Sequence, residues 1–152
     1  SVRHRRERGD RRRSGGGSLM GALEELLDRI AIADVLVRYG SSLDDKDWDR
    51  LETCFTPDAV GILAGGPRLE GYQAILTAVR DALAYYPATQ HMIANHEVEL
   101  DGDRARLRTN LIATQVITEG TFTVFGVYRE ELVRTAEGWR IVHHQLDAQW
   151  LG

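Results

Sequence analysis

The part of this chain that most narrows its fold begins at His91. Four strand-like runs, His91–Leu100, Ala105–Thr118, Phe122–Thr135 and Trp139–Trp150, follow one another with only short turns between them. Asp101-Gly102-Asp103 and Ala136-Glu137-Gly138 carry the glycine that tight hairpins favour. Such turns are too short for the crossover that parallel neighbours need, so the runs form an antiparallel meander. What precedes them reads as helix. Helices first and strands afterwards specify an α+β domain rather than alternating βαβ units.

The helical part divides in three. From Leu19 to about Ser42, Leu23, Leu26, Ile30, Ala33 and Val37 recur at three- and four-residue spacing and predict one buried face, with Gly40 marking the approach of the end. A short helix is expected from Asp47 to Cys54, capped by Asp45 or Asp47, burying Trp48, Leu51 and Phe55, and stopped by Pro57. After a short strand at Val60–Leu63 and a turn at Gly65-Gly66-Pro67, a third helix runs from Gly71 to about Tyr85. Its core face comprises Ile75, Leu76, Val79, Ala82 and Leu83. Trp48, Trp139 and Trp150 are expected in the core.

Length and charge bound the partners. The chain has 152 residues, enough for one domain. Residues 1–18 hold seven arginines against Glu7 and Asp10, five net positive charges, so the rest carries −9 within a chain total of −4. We read 1–18 as a disordered Arg/Gly-rich leader and 19–152 as the folded domain. A domain this acidic repels phosphate backbones and is not expected to bind nucleic acid. No apolar run is long enough to span a membrane, and none forms a secretory signal. The single cysteine, Cys54, excludes an internal disulfide and a cysteine-based zinc site, and fits a cytoplasmic location.

Several familiar sites are missing. There is no phosphate-binding glycine loop, no Gly-x-Ser-x-Gly elbow, and no complete calcium loop at Asp44-Asp45-Lys46-Asp47. No metal site is expected, because no element carries two histidines and a carboxylate at ligand spacing. His91 and His96 are five residues apart and face opposite sides of a regular strand, as do His143 and His144.

One stretch is more specific. Ile30 to Ala59 reads IAIADVLVRYGSSLDDKDWDRLETCFTPDA. Tyr39, Asp44, the run Asp47-Trp48-Asp49-Arg50-Leu51 and then Phe55-Thr56-Pro57-Asp58-Ala59 resemble the opening of SnoaL-like proteins in the nuclear-transport-factor-like superfamily. Thr89-Gln90-His91 at the head of a strand, Asn95, the turn Leu100–Ala105 and the closing Gly138-Trp139-Arg140-Ile141 carry the resemblance on to Trp150. It implies a cone-shaped α+β barrel, with N-terminal helices packed on a curved, mainly antiparallel sheet that encloses a pocket. It also implies a homodimer paired through the outer face of the last three strands.

By the same resemblance, Asp44 falls on the catalytic aspartate and His91 on its partner histidine, the pair shared by the scytalone dehydratase, bile acid dehydratase and hexachlorocyclohexane dehydrochlorinase types. Tyr39 matches the tyrosine of the bile acid dehydratase type. Two positions depart: Leu43 stands where scytalone dehydratase has a tyrosine, and Thr114 where it has a second pocket histidine. The implied activity is that of a cofactor-independent lyase or isomerase acting on a small, largely apolar, cyclic molecule. His91 is the general base, Asp44 orients it and Tyr39 stabilises an enolate, with no metal or organic cofactor required. Asn95, Asn110, Thr114, Trp48 and Phe125 are the candidate substrate contacts. Two other readings stand beside this one. One is a non-catalytic binding or dimerisation module. The other is an epoxide hydrolase that would use Arg108 and Asp147.

Overall fold

A computed structural model describes residues 17–152, so the leader lies outside the described residues except for Gly17 and Ser18. Helix α1 (Leu19–Asp45) leads into α2 (Trp48–Glu52), strand β1 (Phe55–Leu63), β2 (Arg68–Glu70), α3 (Tyr72–Leu83) and the meander β3 (Thr89–Asp101), β4 (Arg104–Ile117), β5 (Gly120–Thr135) and β6 (Gly138–Leu151). The sheet order is β2-β1-β6-β5-β4-β3. Every neighbouring pair is antiparallel except β1 and β6. The α+β architecture is the one expected. The sheet is curved and unclosed, and the helices lie against it.

Helix α1 outruns the expected end at Ser42. The Ser41 and Ser42 hydroxyls donate to the carbonyls of Val37 and Arg38 one turn back, so neither serine competes with the helix. Lys46 then closes it with a left-handed φ of 53°. This extra turn carries Asp44. The buried face is also not the expected one. Ile32, Val35, Leu36, Tyr39 and Leu43 face the sheet, whereas Leu23, Leu26, Ile30 and Val37 are exposed. The helix is apolar on two stripes, and spacing alone cannot choose between them. Gly40 does not end the helix. It lies buried in it, where a Cβ would come within 3.0 Å of the Ile93 side chain.

Asp47 caps α2 by accepting the Arg50 N–H. Pro57 does not stop this helix. It lies inside β1, at the irregularity of the β1–β6 ladder between Phe55 and Val60, where its missing N–H breaks no regular pairing. Of the tryptophans, Trp139 is buried and Trp48 half-buried, but Trp150 is 50% exposed. On α3, Ile75, Val79 and Leu83 are buried as expected, and Ala82 is exposed.

Strand β3 departs from regular alternation. Its ladder to β4 shifts between Ala94 and Glu97, and Asn95 has a φ of 59°. The Thr109 hydroxyl donates to the freed Ala94 carbonyl at 2.6 Å. A bulge of this kind bends and twists the strand. Further shifts at Phe125/Gly126 and Glu131/Leu132 do the same for the β5–β6 pair. The bent sheet folds its inner face around α1 and α3, and the candidate site lies in that hollow.

Candidate active site

The hollow is a cavity of about 430 Å³. Tyr39 and Leu43 of α1, the inner faces of β3 to β6, α3, and the β1–β2 turn form its wall. None of its 19 lining residues is Lys, Arg, Asp or Glu. Its polar groups are His91, Gln115 and three tyrosines, Tyr39, Tyr86 and Tyr128.

Asp44, on the added turn of α1, meets His91 near the start of β3. The His91 Nδ1 lies 2.6 Å from Asp44 Oδ1. The same carboxylate accepts the His91 backbone N–H at 2.9 Å and the Thr89 hydroxyl at 3.0 Å. A carboxylate already accepting two bonds takes the ring proton as a third, so Nδ1 is the donor and Nε2 is the nitrogen free to act as a base. Nε2 makes no hydrogen bond among the described residues. The His91 side chain is only 6% exposed, and it lines the cavity.

A second buried chain lies beneath the floor. The Tyr39 hydroxyl is 3.1 Å from His144 Nε2, and His144 Nδ1 is 2.8 Å from Glu130 Oε1. His144 is fully buried and Glu130 nearly so. Burial pushes the Glu130 carboxyl above the usual glutamate range, with His144 opposing the shift. Burial, then the neighbouring Tyr128 and Glu130, raises the Tyr39 phenol well above its ordinary range. Tyr39 is therefore a neutral hydroxyl at neutral pH. Tyr128 packs edge-on against it with ring centroids 5.5 Å apart. The alternation of His143 and His144 required one of them to face inward. Glu130, at the same inward phase as Tyr128 and Leu132, was not singled out.

The five expected substrate contacts lie elsewhere. Asn110 and Thr114 alternate with the buried Thr109, Leu111, Ala113 and Gln115 of β4, so they occupy the outer face. The Thr114 hydroxyl meets Thr123 at 3.2 Å. Phe125 is also outside, stacked on Trp150 at 4.9 Å. Asn95 is exposed in the β3 bulge, and Trp48 sits beneath Arg80, away from the cavity. The bulge inserts one residue and resets the phase of β3, so His96 shares the α1 side with His91 instead of opposing it. There it flanks a shallow cleft with Arg29, Ile30 and Ala33. Arg108 pairs with Glu97 and Asp147 with Arg129, and neither lines the cavity. No group of three metal-binding side chains is gathered among the described residues. No described helix is long and apolar enough to cross a membrane.

Comparison with known proteins agrees with this fold. Residues 24–145 match the profile of the SnoaL-like domain. The uncharacterized protein Rv2910c of Mycobacterium tuberculosis strain H37Rv is 33% identical over 127 residues, covering 81% of this chain and 86% of the relative. Among solved structures, Kfla4162 of Kribbella flavida superposes with a TM-score of 0.78 at 27% identity, over 84% of this chain and 95% of its own. Hexachlorocyclohexane dehydrochlorinase LinA-type3 of Novosphingobium barchaimii has a TM-score of 0.77 over 86% and 92%; at 19% identity, that likeness is one of fold.

Proposed function

This chain belongs to the SnoaL-like domain family, and from that premise we propose that it is a lyase or isomerase working by His–Asp acid–base chemistry on a small, uncharged, largely apolar cyclic molecule. The observation that carries the reading is the placement of His91 on the wall of an uncharged cavity, with its ring fixed by Asp44 at 2.6 Å.

The chemistry follows from that placement. The His91 Nε2 removes a proton from a carbon next to a carbonyl, and the electron pair of the broken C–H bond enters an enolate. Asp44 stabilises the imidazolium through Nδ1. Tyr39 donates its hydroxyl hydrogen bond to the enolate oxygen. In that arrangement, the Tyr39 oxygen accepts from the His144 Nε2–H. The enolate then expels a leaving group from the adjacent carbon, and the imidazolium proton accompanies it, as water when the group is hydroxide. Return of the proton to a different carbon gives an isomerase instead. No step draws on a metal or organic cofactor. The apolar wall excludes water, which strengthens each of these electrostatic interactions.

Purified protein incubated with a panel of cyclic β-hydroxy ketones and cyclic halides, with products read by mass spectrometry, tests the reading. Turnover should fall roughly 10²- to 10⁴-fold in His91→Asn and in Asp44→Asn. Turnover that survives both substitutions refutes the acid–base assignment. Binding of panel members with no turnover by the parent chain would favour the non-catalytic module, a reading supported by His91 being the one histidine on the described cavity wall.

We also propose that two copies pair through the outer face of the sheet. Met92, Ile112, Phe125 and Trp150 sit directly opposite one another on β3, β4, β5 and β6 and are 61%, 44%, 43% and 50% exposed.

A further inference from the structure

We propose that Gln115 anchors the ligand of this cavity by receiving a hydroxyl group carried on an otherwise apolar, uncharged ring. Gln115 lies on the inner face of β4, opposite Thr89 on β3 and Phe122 on β5. It lines the cavity and is only 7% exposed. Its Oε1 is the one wholly buried side-chain oxygen without a hydrogen-bond partner among the described residues.

A buried amide oxygen without a partner destabilises a fold, and native structures keep very few. Nothing in the packing calls for one here. Phe122 stands directly opposite Gln115, Ala113 and Val124 are the next inward pair, and a leucine would suit their company. A partner that arrives with the ligand accounts for the amide. A hydroxyl suits it best, because it donates to Oε1 and accepts from Nε2 with one atom. A charged group does not suit it, because the wall offers no counter-ion and a buried unpaired charge is costly.

The position also sets a distance. His91 is paired directly with Ala113, two residues before Gln115 on the same face, so His91 and Gln115 are diagonal neighbours at about 7–8 Å. A ring system anchored by its hydroxyl at Gln115 therefore lays carbons one to two rings away against His91 Nε2. This inference shares the cavity of the proposed reaction, but it concerns binding and needs no turnover.

The test uses β-naphthol and β-methylnaphthalene, which differ by a hydroxyl in place of a methyl group, titrated calorimetrically into the full chain. The parent should bind β-naphthol about tenfold more tightly. In Gln115→Leu the ratio should fall to about one, through weaker binding of β-naphthol alone. Gln115→Met repeats the test with an unbranched side chain. Both variants should unfold at the same temperature as the parent or higher, since each removes an unpaired buried carbonyl. A parent that does not prefer β-naphthol overturns the proposal. So does a preference that persists in both variants, which would place the hydroxyl on His91 or a tyrosine. A preference that survives His91→Asn but vanishes in Gln115→Leu, with no panel compound turned over, would refute the proposed lyase or isomerase and leave the anchor standing.

Discussion

Asp44 holds His91 at two points, taking the ring Nδ1 at 2.6 Å and the backbone N–H of the same residue at 2.9 Å. One carboxylate thereby fixes the ring's tautomer and the place of the strand that carries it. The end of α1 and the start of β3 become a single unit, so the approach of helix to strand sets the geometry of the pair.

Gly40 controls that approach. A Cβ there would stand 3.0 Å from Ile93 Cδ1 and 3.5 Å from His91 Cβ. Gly40→Ala should push α1 away from β3 and lengthen the Asp44–His91 contact. Alanine is also the better helix former by about 1 kcal/mol, which offsets part of the strain. We expect a small change in unfolding temperature alongside a roughly 10- to 100-fold loss of turnover. Equal losses of stability and activity would mean that Gly40 serves packing alone.

His144 offsets part of the cost of burying Glu130. In His144→Leu the carboxyl has no partner left, and the expected destabilisation is about 3–5 kcal/mol at neutral pH. The sign of its pH dependence follows from the raised Glu130 pKa. The folded state holds that proton at pH values where the unfolded chain has released it, so stability falls as pH rises above the ordinary value of about 4.5. The variant should therefore lose more stability at pH 8 than at pH 5 in chemical denaturation. The double variant with Glu130→Leu should recover most of the loss and flatten the slope.

The limits of the sequence reading have physical causes at particular residues. The four meander strands were legible because their turns are short and glycine-marked. Asp44 and His91 were found through resemblance, since composition and spacing single out neither. Asn110 and Thr114 miss the cavity by one residue of phase on β4. That strand carries apolar side chains on both faces, with Leu107 and Leu111 inward and Ile112 and Val116 outward, so alternation could not tell Gln115 from Thr114. The bulge at Asn95 reversed the expected facing of His96 for a related reason: an inserted residue leaves no mark in the hydrophobic pattern.

Asp28 ties α1 to the far end of the meander. Arg134 of β5 grips its carboxylate with two bonds of 2.7 Å, and the Trp139 indole N–H donates to it at 3.1 Å. Arg134, with help from Trp139, holds the Asp28 pKa below its ordinary value of 3.8. A depressed carboxylate pKa contributes stability above the unfolded value and loses it as pH falls through the folded one. Asp28→Asn should therefore unfold at a lower temperature than the parent at pH 7, and the gap should narrow as pH falls below 3.8. A gap of constant size across that range would assign the effect to the Trp139 contact and not to the ion pair.

The row Met92–Ile112–Phe125–Trp150 crosses four strands at one level, and the Phe125 and Trp150 rings stack with centroids 4.9 Å apart. Four large apolar side chains in register form a contiguous patch, which soluble monomers rarely leave open to water. A two-fold axis through the row would bring it against its own copy, the self-complementary contact of a symmetric dimer. Light scattering on an eluting peak should give twice the chain mass for the parent. The Ile112→Asp, Phe125→Asp pair of substitutions should give one chain mass with the fold intact, because both side chains point away from the core. The cavity lies on the opposite face, so β-naphthol should bind the monomeric variant as well as the parent. A parent that elutes at one chain mass across the micromolar range would leave this face without a second copy.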